Sequence, residues 1–462
     1  MGATGVRWVA CVAAVAAALT SPYAIAETLD SALAQAYRNN PTLNAQRAAL
    51  RAIDETVPQA LANYRPRVTG SVDSGYQHFE SISTSGGQFT KTNTNISPRG
   101  GTVGLVQPVF NGMRSGNLTR QAEASVLAGR ETLRNAEQVA LLDAATAYMN
   151  VLRDVAILDL QRRNVQVLQE QLKQARDRFN VGEVTRTDVA QAEARLAASQ
   201  SQVLAAEANL KSSQATYRRV IGAEPVNLRP GMPVDRLSPR SLEASIDLGR
   251  TVHPTVAAAQ YTVDAAQFAV KSAEGSLYPT VTLEGAVVRR WDVQPGVTDQ
   301  LTGTVLGRVA VPIYQGGSEY SIIRQQKVTL GQRRIELDVQ RDLVRATVVQ
   351  AWSQLEATKA QIIAAQAQVT ATEVALNGVR EEARVGQRTT LDVLNAQQEL
   401  VNARVSLVTA QRDRVVASFT LLSAVGRLAP ETLKLPTEAY DPRVHYHQVR
   451  DKWIGVRTPD GR

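Results

Sequence analysis

Residues 178–189 read RFNVGEVTRTDV and residues 382–393 read EARVGQRTTLDV, so a Val-Gly pair is followed by Asp-Val at the same spacing in both. The two stretches lie 204 positions apart, as do Pro108 and Pro312, and Gly222 and Gly426. Earlier landmarks share another offset, with Pro41 and Pro254, and Pro66 and Pro279, each 213 positions apart. The chain is therefore written twice, and the step from 213 to 204 gives the first copy nine extra residues between Pro66 and Pro108. Residues 81–95 within that segment are rich in Ser, Thr and Gly, which predicts an exposed loop.

Each copy reads in the order helix, strand, loop, strand, very long helix, tight turn, helix. A helix over about 29–62 is expected to stop before Pro66, because residues preceding proline leave the helical region. Its counterpart runs over about 248–276 and ends at Pro279. The long helices, about 113–179 and 318–384, contain no proline. Each would span on the order of 100 Å at 1.5 Å per residue, a length that implies coiled-coil packing. The return helices cover about 188–220 and 392–425. In each copy the two shorter helices together match the long one in length, so they are expected to stack end to end along it.

Composition agrees with this reading. Only 5% of the 462 residues are aromatic, which favours extended helices packed through small side chains. Residues 1–26 have the form of a secretory leader, with Arg7, an apolar stretch from Trp8 to Leu19 and Ala24-Ile25-Ala26 as cleavage site. Cys11, the single cysteine, lies in that leader, so no disulfide or thiol chemistry is expected after export. The formal charge of +8 comes from cations interleaved with anions along the helices, so nucleic acid is not an expected partner. No hydrolase, phosphate-binding or metalloprotease motif is present, and His445 and His447 have no third ligand nearby. The expectation is a protein without catalytic residues, metal or cofactor.

After the leader no run of about 18 apolar residues occurs, so the protein either stays soluble in the periplasm or crosses a membrane as strands. Period-two alternation favours strands. Val68, Val72 and Tyr76 oppose Thr69, Ser71, Asp73 and Gln77; Val281, Leu283 and Val287 oppose Thr282 and Glu284; Leu301, Val305 and Val309 oppose Thr302, Thr304 and Arg308. A fourth segment, 102–110, alternates less clearly. Strands of about ten residues, apolar outside and polar inside, suit a water-filled barrel. Tyr64, Phe110, Tyr278 and Tyr314 fall at junctions of strand with helix, and Tyr76, Phe79 and Trp291 near the outer loops, where two aromatic girdles would sit. Four strands cannot close a barrel in lipid, so several copies must combine. A soluble periplasmic coiled-coil adaptor or scaffold is the competing reading, and it leaves the strands unexplained.

Taken in order, Asn39-Asn40-Pro41-Thr42-Leu43, Arg178 to Gly182 with Thr187-Asp188-Val189, and Arg384 to Thr389 with Leu391-Asp392-Val393-Leu394 resemble the TolC family of outer-membrane efflux proteins. The resemblance covers the chain to about Pro430. It implies a mostly helical fold with a membrane β-barrel portion: a homotrimer, four strands per protomer in one twelve-stranded barrel, and a periplasmic coiled-coil tunnel. It also implies outer-membrane lipid, a periplasmic adaptor, and an inner-membrane pump or ABC exporter as partners. The expected organisation is a leader at 1–26, a first repeat at 27–225, a linker at 226–245, a second repeat at 246–430, and an equatorial segment or mobile tail at 431–462.

By the same resemblance, Val181, Gly182, Val385 and Gly386 form adaptor-docking hairpin tips, and Thr187, Asp188, Arg388, Asp392 and Asn395 surround a periplasmic entrance gate. Asp392 would contribute to an acidic ring across the trimer. Two positions depart from the family pattern. Asn395 stands at the second acidic position and Ala383 at the gating tyrosine, which implies a gate with fewer links and weaker cation preference. Independently of any gate, Asp188 and Asp392 suit the first turn of a helix, where a carboxylate complements the helix dipole.

Overall fold

The computed structural model describes residues 27–461, so the leader and its cleavage site lie outside the described residues. The first copy contains α1 (Leu29–Asn39), α2 (Pro41–Asp54), α3 (Thr56–Leu61), β1 (Arg67–Ser74), β2 (Gln77–Ser85), β3 (Gln88–Ile96), β4 (Arg99–Asn111), α4 (Arg114–Asn180) and α5 (Arg186–Ile221). The second contains α6 (Leu242–Val252), α7 (Pro254–Glu274), β5 (Thr280–Gln294), β6 (Val297–Ala310), α8 (Ser318–Arg384) and α9 (Thr390–Ala424), followed by α10 (Pro430–Leu433) and α11 (Arg443–Val449). The chain divides into two compact units. One comprises the chain up to Asn44, Ala136–His253 and Val344–Ala439; the other comprises Ala45–Asn135, Pro254–Leu343 and the chain from Tyr440 onward.

The helix expected at 29–62 is interrupted. Pro41 forces Asn40 out of the helical region, to φ −62° and ψ 118°, and α1 ends there. Asn40 then caps α2, its Oδ1 accepting from the amides of Thr42 and Leu43, while its Nδ2 donates to the carbonyl oxygen of Val220 at the end of α5. The second copy repeats the break: His253 sits at φ −63° and ψ 127° before Pro254, and the helix preceding it begins at Leu242 rather than 248. Around these ends the first unit buries Leu33, Leu141, Tyr148, Tyr217, Ile221, Phe419, Leu421 and Leu422. Tyr148 reaches the carbonyl oxygens of Glu27 and Arg229.

In the second unit β1, β4, β5 and β6 form one antiparallel sheet in the order β1-β4-β5-β6, which joins the two copies through β4 and β5. The ambiguous segment at 102–110 is thus a full strand, and β5 and β6, at 15 and 14 residues, exceed the expected ten. Residues 81–95 are not a loop. They belong to a separate hairpin in which β2 pairs with β3, turned by Gly86 and Gly87 at φ +60° and +79°. Thr90, Thr92, Thr94 and Ile96 alternate beyond a Gly-Gly pair, which is a hairpin pattern, and the abundance of Ser and Thr obscured it.

Among the described residues no helix is long and apolar enough to cross a membrane. The sheet has the two faces that alternation demanded. Register places Val68, Val72, Val103, Leu105, Leu283, Val287, Leu301, Val305 and Val309 on one side, and this side is open: Val72 is 90% exposed and Val305 81%. The other side carries Thr69, Ser71, Thr282, Glu284, Thr302 and Thr304, with Arg308 donating to both oxygens of Glu284 at 2.9 and 3.1 Å. A band of unpaired apolar side chains opposite a polar, ion-paired face is the arrangement of a strand layer between lipid and water.

Candidate functional site: the hairpin tips and the ends of the sheet

Both long helices end in the same way, and local chemistry dictates it. Gly182 takes φ +80° and Gly386 φ +81°, a left-handed conformation that costs glycine little. The amide of Gly182 donates to Phe179 O and that of Glu183 to Arg178 O; Gly386 and Gln387 repeat this with Ala383 and Glu382. These paired bonds satisfy carbonyls that a helix end leaves orphaned. Three residues after each glycine, Thr185 and Thr389 cap the returning helices. Each threonine hydroxyl accepts from the amide of Asp188 or Asp392, and each aspartate Oδ2 accepts from the threonine amide and hydroxyl. This reciprocal arrangement is a capping box.

The carboxylates respond accordingly. Asp188 is held below the ordinary carboxylate value by the Thr185 hydroxyl and then by its amide, and Asp392 by the Thr389 amide and then its hydroxyl. Arg388 is held strongly cationic by Glu382, to which its Nε donates at 2.8 Å. Thr187 is exposed on the first tip. Thr187 and Asp188 occupy one tip, and Arg388, Asp392 and Asn395 the other, where the charges of Arg388 and Asp392 attract each other.

The two hairpins nevertheless meet. Arg195 on α5 donates to Asn395 Oδ1 on α9 at 2.7 Å. Leu394 packs with Leu168, Leu172, Ala175 and Ala192. Behind them Asn164 donates to Ser199 at 3.1 Å, and Arg380 donates to Gln397 at 2.9 Å. Arg195 and Glu382 were not singled out in the sequence, since a charged residue on a solvated helix carries no signal of its partner. Val181 and Val385 are exposed, at 72% and 67%, and a side chain added at Gly182 or Gly386 would meet nothing within 4 Å.

The aromatic residues singled out in the sequence lie at the two ends of the sheet. Tyr64, Phe110, Tyr278 and Tyr314 all lie where strands meet helices, at one end of the sheet, and Tyr64, Tyr278 and Tyr314 are more than half exposed. Tyr76 and Trp291 lie at the opposite end, with the guanidinium of Arg289 5.1 Å from the Trp291 ring centre. His445 does not dangle: its Nδ1 lies 3.0 Å from Asp54 Oδ2. Among the described residues no group of three or more His, Cys, Asp or Glu side chains is placed to hold a metal ion.

Comparison with known proteins fits this geometry. The family described as Outer membrane efflux protein matches residues 32–223 and 246–427, once for each copy. The outer membrane efflux protein BepC of Brucella suis is 43% identical over 448 residues, which is 96% of this chain and 95% of that protein. The outer membrane protein TolC of Escherichia coli is 25% identical over 426 residues, covering 88% and 84% of the two chains. Among solved structures, the CmeC outer membrane channel of Campylobacter jejuni superposes with a TM-score of 0.76 at 15% identity, over 92% of this chain and 89% of that one. The family is one of channels and not of enzymes. With both copies matched and a relative at this identity along nearly its whole length, the chain belongs to the outer membrane efflux protein family.

Proposed function

We propose that three copies of this chain close their sheets into one twelve-stranded barrel in the outer membrane, and that their helices continue the bore into the periplasm as an exit duct. One observation carries this reading: a four-stranded sheet with an exposed apolar face, a polar face and two unpaired edges, β1 and β6. Unpaired backbone groups are not tolerated in hydrocarbon, so β1 of one copy must find β6 of the next. Eight strands from two copies would fill the interior with side chains, whereas twelve leave a passage. Tyr64, Phe110, Tyr278 and Tyr314 would then form the inner girdle, and Tyr76 and Trp291 the outer one.

The hairpin tips are the entrance. Three Asp392 carboxylates would ring the bore and favour cations. Their pull is opposed by the three Arg195 guanidiniums held at Asn395, where an acid would have reinforced it. Thr187, Asp188 and Arg388 would link neighbouring tips, in competition with the capping boxes and the Arg388–Glu382 pair. Exposed Val181 and Val385 beside open space at Gly182 and Gly386 suit docking of a periplasmic adaptor that connects the duct to an inner-membrane pump or ABC exporter. Cargo selection would rest with that pump, so the duct serves efflux, secretion of proteins, or both.

Conductance of the purified protein in planar bilayers tests the duct, together with heat-sensitive trimers in the outer-membrane fraction. A detergent-free monomer without conductance refutes it. A deletion strain assayed in parallel for drug sensitivity and for loss of secreted proteins separates the two kinds of cargo.

A further inference from the structure

We infer that Trp453–Val456 is a lipid anchor, which seats the last described stretch of the chain on the inner, phospholipid leaflet of the outer membrane beside the foot of the barrel. The inference rests on the outer-membrane placement of the sheet. All the residues that carry it belong to the unit containing the sheet.

The stretch from Tyr440 is bound along its length. The Arg47 guanidinium lies 5.1 Å from the Tyr440 ring centre and that of Arg130 5.0 Å from Tyr446. His445 meets Asp54, a carboxylate only 1% exposed, and Arg450 faces Glu123 at 3.9 Å. Arg65 then fixes the tip, donating to the carbonyl oxygen of Lys452 at 2.8 Å and placing its guanidinium 4.6 Å from the Trp453 ring centre. Because Arg65 follows Tyr64 and lies two residues before Arg67, which opens β1, these contacts carry Trp453 to the junction of helix and strand.

There the chain exposes three of four consecutive residues that water should not favour: Trp453 at 66%, Ile454 at 89% and Val456 at 100%. A freely moving tail would expose them without consequence, but this one is held by four side-chain contacts upstream and two at the tip. An apolar cluster fixed in an exposed position marks an interaction surface. The occupant follows from continuity and composition. The cluster adjoins the end of a sheet whose apolar face is itself exposed, so the surface that covers one reaches the other. An indole at headgroup depth, two aliphatic side chains, and the flanking cations Lys452 and Arg457 match a phospholipid interface.

The test uses the full chain in nanodiscs whose phospholipids carry bromine near the headgroup end of their acyl chains, compared with unbrominated discs. Among the described residues the tryptophans are Trp291, Trp352 and Trp453. Subtracting the emission of Trp453→Phe from that of the parent isolates Trp453, and Trp291→Phe isolates the barrel tryptophan in the same way. Trp453 emission is expected to fall about twofold in brominated discs, because an interfacial indole sits at headgroup depth, within reach of the bromine. The Trp352 emission, from the other unit, should not change. Unquenched Trp453 beside quenched Trp291 overturns the anchor and leaves the duct standing; a second copy covering Trp453 would give this result. Failure to quench Trp291 overturns the membrane placement of the sheet and the anchor with it.

Discussion

Asn40 shows how one side chain organises three helix ends. It ends α1, caps α2 and ties α2 to the carbonyl end of α5 through Val220. Replacing it with Ala removes a cap and leaves a buried carbonyl unpaired, which should destabilise the folded protein by about 1–3 kcal/mol. The midpoint of denaturant unfolding reads the loss, and an unchanged midpoint would mean that water takes the place of the amide. The tip aspartates make a pH prediction with a definite sign. Their folded-state pKa values are lowered from the ordinary carboxylate value, so their contribution is present at neutral pH and is lost as pH falls through the lowered values. Amide exchange at 185–189 and 389–393, corrected for the intrinsic pH dependence, should therefore stay slow through mild acid and accelerate below the ordinary carboxylate range. Thr185→Ala should bring the first tip's acceleration to higher pH and leave the second tip unchanged. Both aspartates were legible in the sequence as first-turn residues, whereas their partners required coordinates.

At the scale of elements, β2 and β3 form a ladder of their own while β1 pairs directly with β4, Ser74 opposite Arg99. The hairpin therefore rides on the sheet instead of building it. Excising residues 76–97 and closing β1 to β4 with a two-residue Asn-Gly turn should leave trimer yield and single-channel conductance unchanged. Loss of assembly would show that the hairpin contributes to closure between copies. The long helices were readable because an uninterrupted run without proline admits little else. The breaks at Asn40 and His253 were misread because helical periodicity persists on both sides of a single extended residue, although Pro41 and Pro254 supplied the physical signal.

In the proposed duct, selectivity would follow from the charges that the tips bring near the bore. Arg195 adds a cation beside Asn395, close in sequence to the aspartate at 392. Arg195→Gln should raise the permeability ratio of potassium to chloride severalfold, and Asp392→Asn should lower it. Reversal potentials in a salt gradient measure both. If neither substitution moves the reversal potential, the entrance does not set selectivity and the charged wall of the barrel does.

The sequence alone determined the duplication, the two long helices with their return helices, and the two faces of the sheet. Each follows from rules that act along the chain: a period of two or of 3.6, the backbone limits of proline and glycine, and the reach of n residues. Tertiary structure alone decided which side chain answers which: Arg195 with Asn395, Glu382 with Arg388, Asp54 with His445 and Arg65 with Trp453. Except for Glu382 and Arg388, these partners are separated by hundreds of residues, and an isolated charge or ring specifies no mate until packing limits the groups within hydrogen-bonding distance.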